Sequence, residues 1–92
     1  MLIKTMADFR RAMRHGPYAW PGGYPCYFIM GDGEAISFAA AKANRREIVT
    51  AIAYDDTRSE SYPVALDVNW ENAELFCAHS GERIESAYAE PE

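Results

Sequence analysis

Apolar positions recur along this chain with two different spacings, and the change from one to the other divides it into helical and extended stretches. Met6, Phe9 and Met13 follow at i, i+3 and i+7, which places them on one helical face. Thr5 followed by Asp8 supplies an N-cap and a first-turn carboxylate, and His15-Gly16-Pro17 ends the pattern, so a short helix is predicted over 6–14. Cys26 to Met30 and Ala35 to Phe38 are compact apolar runs separated by Gly31-Asp32-Gly33-Glu34, the pattern of a hairpin. From Ser37, a suitable N-cap, Phe38, Ala41, Arg45, Ile48 and Ile52 form one stripe, which predicts the longest helix over 38–53 with Arg45 interrupting its apolar face. Residues 62–70 alternate: Val64, Leu66, Val68 and Trp70 point one way and Ala65, Asp67 and Asn69 the other, as in a half-buried strand. A short strand at 74–77 and another at 83–85 flank His79-Ser80-Gly81-Glu82, and the acidic end, 85–92, is expected to fray.

These elements predict an α+β fold: a small antiparallel β-sheet of three to five strands, packed by one longer and one short α-helix. The expected core is Phe9, Phe28, Ile36, Ile48, Ile52, Val64, Leu66, Val68 and Phe76. Ninety-two residues suffice for one domain, and 49% apolar with 25% charged residues is the composition of a folded one. No apolar run reaches membrane-spanning length and the first residues are not a signal peptide, so the expected compartment is the cytoplasm and no membrane partner is expected.

Residues 16–25 hold three prolines, three glycines and three aromatics and read as an ordered turn-rich loop. Its Tyr18, Trp20 and Tyr24 are of the residue types that dominate binding hot spots, and equally of the types that cover the edge of a small core. Arg10, Arg11, Arg14 and His15 gather at the end of the first helix, where the dipole favours cations, and read as a solvated helix end.

Familiar enzyme signatures are missing: there is no phosphate-binding loop, dinucleotide fingerprint, GxSxG elbow or HExxH helix. No catalytic residue is assigned. Cys77 and His79 stand two apart, too far along a strand for a thiolate to share a hydrogen bond with the imidazole. Cys26, Cys77, His15 and His79 equal the number of ligands of a structural zinc site but lack its paired spacing, and no metal or other cofactor is assigned. In a reducing compartment the two cysteines read as buried apolar side chains rather than a disulfide.

Trp20-Pro21-Gly22-Gly23-Tyr24-Pro25, Asp32-Gly33, Ala43-Asn44-Arg45-Arg46, Val68-Asn69-Trp70-Glu71 and Gly81-Glu82-Arg83-Ile84-Glu85-Ser86-Ala87-Tyr88 together resemble a family of small uncharacterised bacterial, plasmid and phage proteins. Many of its members look like zinc ribbons with two CxxC pairs. Where they carry the first pair this chain has Ser37-Phe38-Ala39-Ala40, and where they carry the second it has Cys77-Ala78-His79-Ser80. The resemblance therefore implies a degenerate zinc ribbon, with three of four ligands replaced and apolar packing in place of the metal.

Charge sharpens the functional expectation. The chain carries nine Lys+Arg against fourteen Asp+Glu, a net of −5, which speaks against direct binding of nucleic acid. Residues 1–54 hold seven basic and four acidic residues, a net of +3, whereas 55–92 hold two and ten, a net of −8. A surface dense in carboxylates is complementary to basic grooves that hold nucleic acid. In this respect the chain resembles small acidic phage products of the anti-CRISPR type. That resemblance implies a non-enzymatic inhibitor, acting as a monomer in the host cytoplasm, whose Asp67, Glu71, Glu74, Glu82 and Glu85 mimic DNA in the basic cleft of a type I CRISPR–Cas effector subunit. Trp20 and Tyr24 would add an apolar anchor. Two alternatives are an accessory interaction module of a mobile element that binds through the Trp20/Tyr24 loop, and a residual zinc-ribbon-like metalloprotein.

Overall fold

A computed structural model describes residues 1–19 and 22–88. Helix α1 spans Met6–His15, and its start follows from a reciprocal cap: the Asp8 N–H donates to the Thr5 hydroxyl at 3.2 Å while the Thr5 N–H donates to the Asp8 carboxylate at 3.2 Å. A further N–H, from Lys4, donates to the same carboxylate and is the largest cause holding it below its ordinary range. Strands β1 (Tyr18–Ala19) and β2 (Tyr24–Met30) then pair antiparallel, so Tyr24 lies in a strand rather than in the predicted loop.

The sheet is built around β2. On one edge it pairs with β3, Ala35–Ser37, and it also pairs with β4, Pro63–Val68, both antiparallel. Phe28 stands opposite both Ile36 and Leu66, and these three side chains are buried on the face that receives the helices. Phe9 of α1 approaches Phe28 with ring centroids 6.1 Å apart, and Phe38 stacks on it at 5.7 Å. Full burial of Phe9 and Phe28, with the half-buried Phe38 against them, contributes several kcal/mol, at roughly 1.5–3 kcal/mol for each fully buried large apolar side chain. The α+β architecture with a small antiparallel sheet is thus the observed one.

The single helix expected over 38–53 is two helices, α2 (Phe38–Ala43) and α3 (Arg45–Ala53). The cause is Asn44. Its side-chain amide donates to the Ala40 carbonyl at 2.8 Å, the same carbonyl that accepts its backbone N–H at 2.9 Å, and its backbone leaves helical geometry at φ −105°, ψ 25°. The 38–53 stretch therefore contributes two helices, and with α1 the small antiparallel sheet is accompanied by three.

One predicted core position, Phe76, and one residue expected on the inward face of the 62–70 strand, Trp70, face solvent. Phe76 is 55% exposed because residues 75–84 form a small hairpin closed by the single Phe76–Arg83 bridge, with its neighbour Cys77 turned inward. Trp70 is 45% exposed because β4 ends at Val68, and Asn69 takes the inward direction instead. Val64, Val68 and Ile52 are half-buried, while Ile3, Met30, Cys26, Tyr62, Cys77 and Ile84 complete the interior. Ile3 enters because residues 1–3 run beside β4: the Ile3 N–H donates to the Val64 carbonyl at 2.9 Å and the Leu66 N–H to that of Met1 at 2.8 Å. Among the described residues no helix is long and apolar enough to cross a membrane.

Candidate functional site

The acidic segment after β4 is organised by one buried polar residue. Asn69, 4% exposed, shares its side-chain amide N–H groups among the carbonyls of Asn72 (3.0 Å), Glu85 (3.1 Å) and Ile84 (3.4 Å), and its carbonyl oxygen accepts the Asn72 N–H at 3.2 Å. It thereby ties the turn at 69–72 to the chain fifteen residues later. The Arg83 guanidinium adds a second tie by donating from Nε to the Ala73 carbonyl at 2.8 Å. The hairpin is closed by Cys77 N–H to Glu82 and Ile84 N–H to Leu75, at 2.8 and 2.7 Å.

On this frame Glu71, Glu74, Glu82 and Glu85 are exposed, and Asp67, on the strand leading into it, is exposed as well. None of the five forms an ion pair among the described residues. Asp67 accepts the Val68 N–H at 2.8 Å and faces Tyr27 across the sheet; burial, then the Asp67 charge, pushes the Tyr27 hydroxyl up. Glu85 accepts a hydrogen bond from the Tyr18 hydroxyl at 2.9 Å, which raises the Tyr18 pKa through that bond and the carboxylate's charge.

Beside these carboxylates lies an aromatic group. The Tyr24 and Trp70 centroids are 4.6 Å apart, and Tyr88 completes the group at 6.1 Å from each, stacked on Trp70 with an interplanar angle of 13°. Tyr88 is held there because its N–H donates to the Trp70 carbonyl and that of Ala87 donates to Asn69, both at 2.8 Å. Residues 85–88 are thus docked at the start of the segment expected to fray. Trp70 and Tyr88, 45% and 63% exposed, present a continuous aromatic surface. Of the two predicted anchors, Tyr24 belongs to this surface and Trp20 lies outside the described residues. The sequence reading missed Trp70 and Tyr88; the available signal was the Asn69–Asn72 spacing, an Asx-type turn that ends the alternation and turns the next residue outward.

The turn at Cys77 is the third feature. Gly81, at φ +75°, donates its N–H to the Cys77 carbonyl at 2.8 Å, and the Ser80 N–H donates to the Cys77 sulfur at 3.4 Å. Burial pushes this thiol up, but the Ser80 hydroxyl and the N–H groups of Ser37, Ser80 and His79 outweigh it and bring the pKa down to about 7. Cys26, by contrast, is pushed up by burial and by the Asp67 charge. Ser37 and Cys77, which the family resemblance places in two ligand pairs, are neighbours, yet the donor set does not suit zinc. The Ser37 hydroxyl is committed to the Ala40 N–H at 3.0 Å, Ala40 has no donor atom, and no three His, Cys, Asp or Glu residues converge among those described. No catalytic pair forms between Cys77 and His79, whose contact with the sulfur is through the backbone N–H.

No protein-family model, curated protein or solved structure matches this chain.

Proposed function

We propose that this chain is a non-enzymatic binding protein whose acidic segment occupies a basic cleft that otherwise holds DNA, the mode of an anti-CRISPR inhibitor. The observation that carries the reading is the set of five exposed carboxylates on 67–85, none in an ion pair among the described residues, on a segment whose 69–72 turn the buried Asn69 ties to residues 84 and 85. A flexible acidic tail would lose conformational entropy on binding; carboxylates on a hydrogen-bonded frame lose less. The target proposed from the charge pattern and the resemblance is a DNA-binding subunit of a type I CRISPR–Cas effector complex.

The test is displacement of labelled target DNA from purified effector complex by this protein. The proposal expects displacement that weakens steeply between about 50 and 500 mM salt, and that is abolished when Asp67, Glu71, Glu74, Glu82 and Glu85 are replaced by lysine. Undiminished binding by the reversed variant would refute the mimicry.

A second reading, an accessory interaction module of a mobile element, is favoured by the exposed Trp70–Tyr88 stack. Aromatic anchors in such a position carry binding energy with little dependence on salt. Loss of partner binding in Trp70→Ala, with the carboxylate variant unaffected, would select this reading over the first.

A further inference from the structure

We propose that the opposite, basic side of the molecule holds a binding site for a nucleoside polyphosphate. Arg10, Met13 and Arg14, at i, i+3 and i+4 on α1, face Phe38, Lys42 and Arg45 from α2 and the start of α3 across a groove of about 310 Å³. Four cations line it and no carboxylate does. Among the described residues none of the four makes an ion pair; the one ion pair, Arg11–Asp8 at 3.5 Å, lies outside the groove. Guanidinium groups stay charged at all working pH values and match phosphate oxygens in pairs, so an anion entering here meets donors that have no internal partner to give up.

The floor identifies the rest of the ligand. Phe38 packs one side of its ring on Phe28, while its half-buried remainder lines the groove together with the Met13 side chain. An inorganic anion leaves that apolar floor unused, whereas a nucleobase stacks on it and places its phosphates among the arginines. A volume near 310 Å³ is at the lower end of small-ligand pockets and suits one nucleotide. The net charge of −5, with −8 on residues 55–92, repels a long polyanion and leaves a compact one as the ligand that this local patch can hold.

The test is calorimetric titration of the protein with ATP, tripolyphosphate, adenosine and a twelve-residue oligothymidylate at low salt. The expected result is saturable ATP binding, about tenfold tighter than tripolyphosphate because of the stacked base. Arg14→Glu with Lys42→Glu, both exposed and outside the core, weakens ATP at least about tenfold, and Phe38→Leu removes the advantage of ATP over tripolyphosphate while sparing the latter. The five-carboxylate variant described above still binds ATP, so failure of one reading is distinguishable from failure of the other. Absence of ATP binding overturns the proposal, as does equal affinity for tripolyphosphate or tighter binding of the oligonucleotide. Low-salt self-association that the double reversal abolishes also overturns it, since the groove would then receive the acidic half of a second copy.

Discussion

Replacing Asn69 by alanine removes the hub of the acidic segment, and the size of the loss can be worked from its bonds. The side chain donates to three carbonyls and accepts one N–H while almost fully buried. Its two amide hydrogens serve three acceptors, so the bonding is equivalent to about three full hydrogen bonds at roughly 1 kcal/mol net each. Alanine also leaves the Asn72 N–H and the carbonyls of Ile84 and Glu85 with fewer partners, so the expected destabilisation is about 2–4 kcal/mol. At some 4–8 °C per kcal/mol for a domain of this size, the melting temperature falls by roughly 8–32 °C. Thermal and urea unfolding followed by circular dichroism measures the global loss, and fluorescence in a Trp20→Phe background, which leaves Trp70 as the one indole, follows the local one. Asn69→Asp adds a signed control: a carboxylate facing those carbonyls has its folded pKa raised, so that variant loses stability as the pH rises from about 4 to 7, while the alanine variant does not follow that profile. A loss below about 1 kcal/mol for Asn69→Ala would refute the hub, because solvent would then be replacing its bonds.

Three further outcomes follow from local geometry. Thr5→Ala breaks the reciprocal cap of α1 and should lower stability by about 1 kcal/mol in urea unfolding, whereas Thr5→Ser should restore most of it. Gly31→Ala drives a new methyl group into the Thr57 backbone carbonyl, where no side chain can yield, and should cost more than about 2 kcal/mol in the same assay. The Cys77 thiol, depressed to about 7 in the folded chain, contributes stability that is present above its unfolded pKa and lost as the pH falls through about 7. Wild type should therefore gain stability relative to Cys77→Ala between pH 6.5 and 9, on the order of 1–2 kcal/mol, and a constant difference across that range would contradict the hydrogen-bonded thiolate.

What could be read from the sequence was what depends on near neighbours. The cap at Thr5–Asp8 spans four residues, and the alternation from Val64 to Val68 repeats on one strand, so α1 and β4 were legible within a residue or two. The alanine-rich run from Phe38 concealed the break at Asn44, because its cause is a side-chain amide competing for the Ala40 carbonyl rather than a loss of helix-forming residues. The sequence pattern assigns Phe76 to the core and Trp70 to the inward face of the 62–70 alternation; their actual direction is set by the register of the 75–84 hairpin and by the inward Asn69. At the site, exposure of the carboxylates followed from their type, but the aromatic surface did not. It joins Tyr24 to residues more than forty positions away, and the bonds that seat Tyr88 are backbone bonds that carry no side-chain signature.

The central position of β2 has a consequence for the order in which this molecule can assemble. Its β1 partner precedes it and its β3 partner follows almost at once, but the third, β4, begins only at Pro63, and the unit that seats Tyr24 is finished only at Tyr88. During synthesis the most apolar strand, Cys26–Met30, is thus present with one side unpaired while more than thirty further residues are added. Closure of that long loop makes β2–β4 pairing the slow, entropically costly event, and an open β2 edge is the surface through which nascent chains would stick to one another. Overproduction at low temperature, which slows synthesis and weakens apolar association together, should raise the yield of folded protein more than any solubilising change to the native surface.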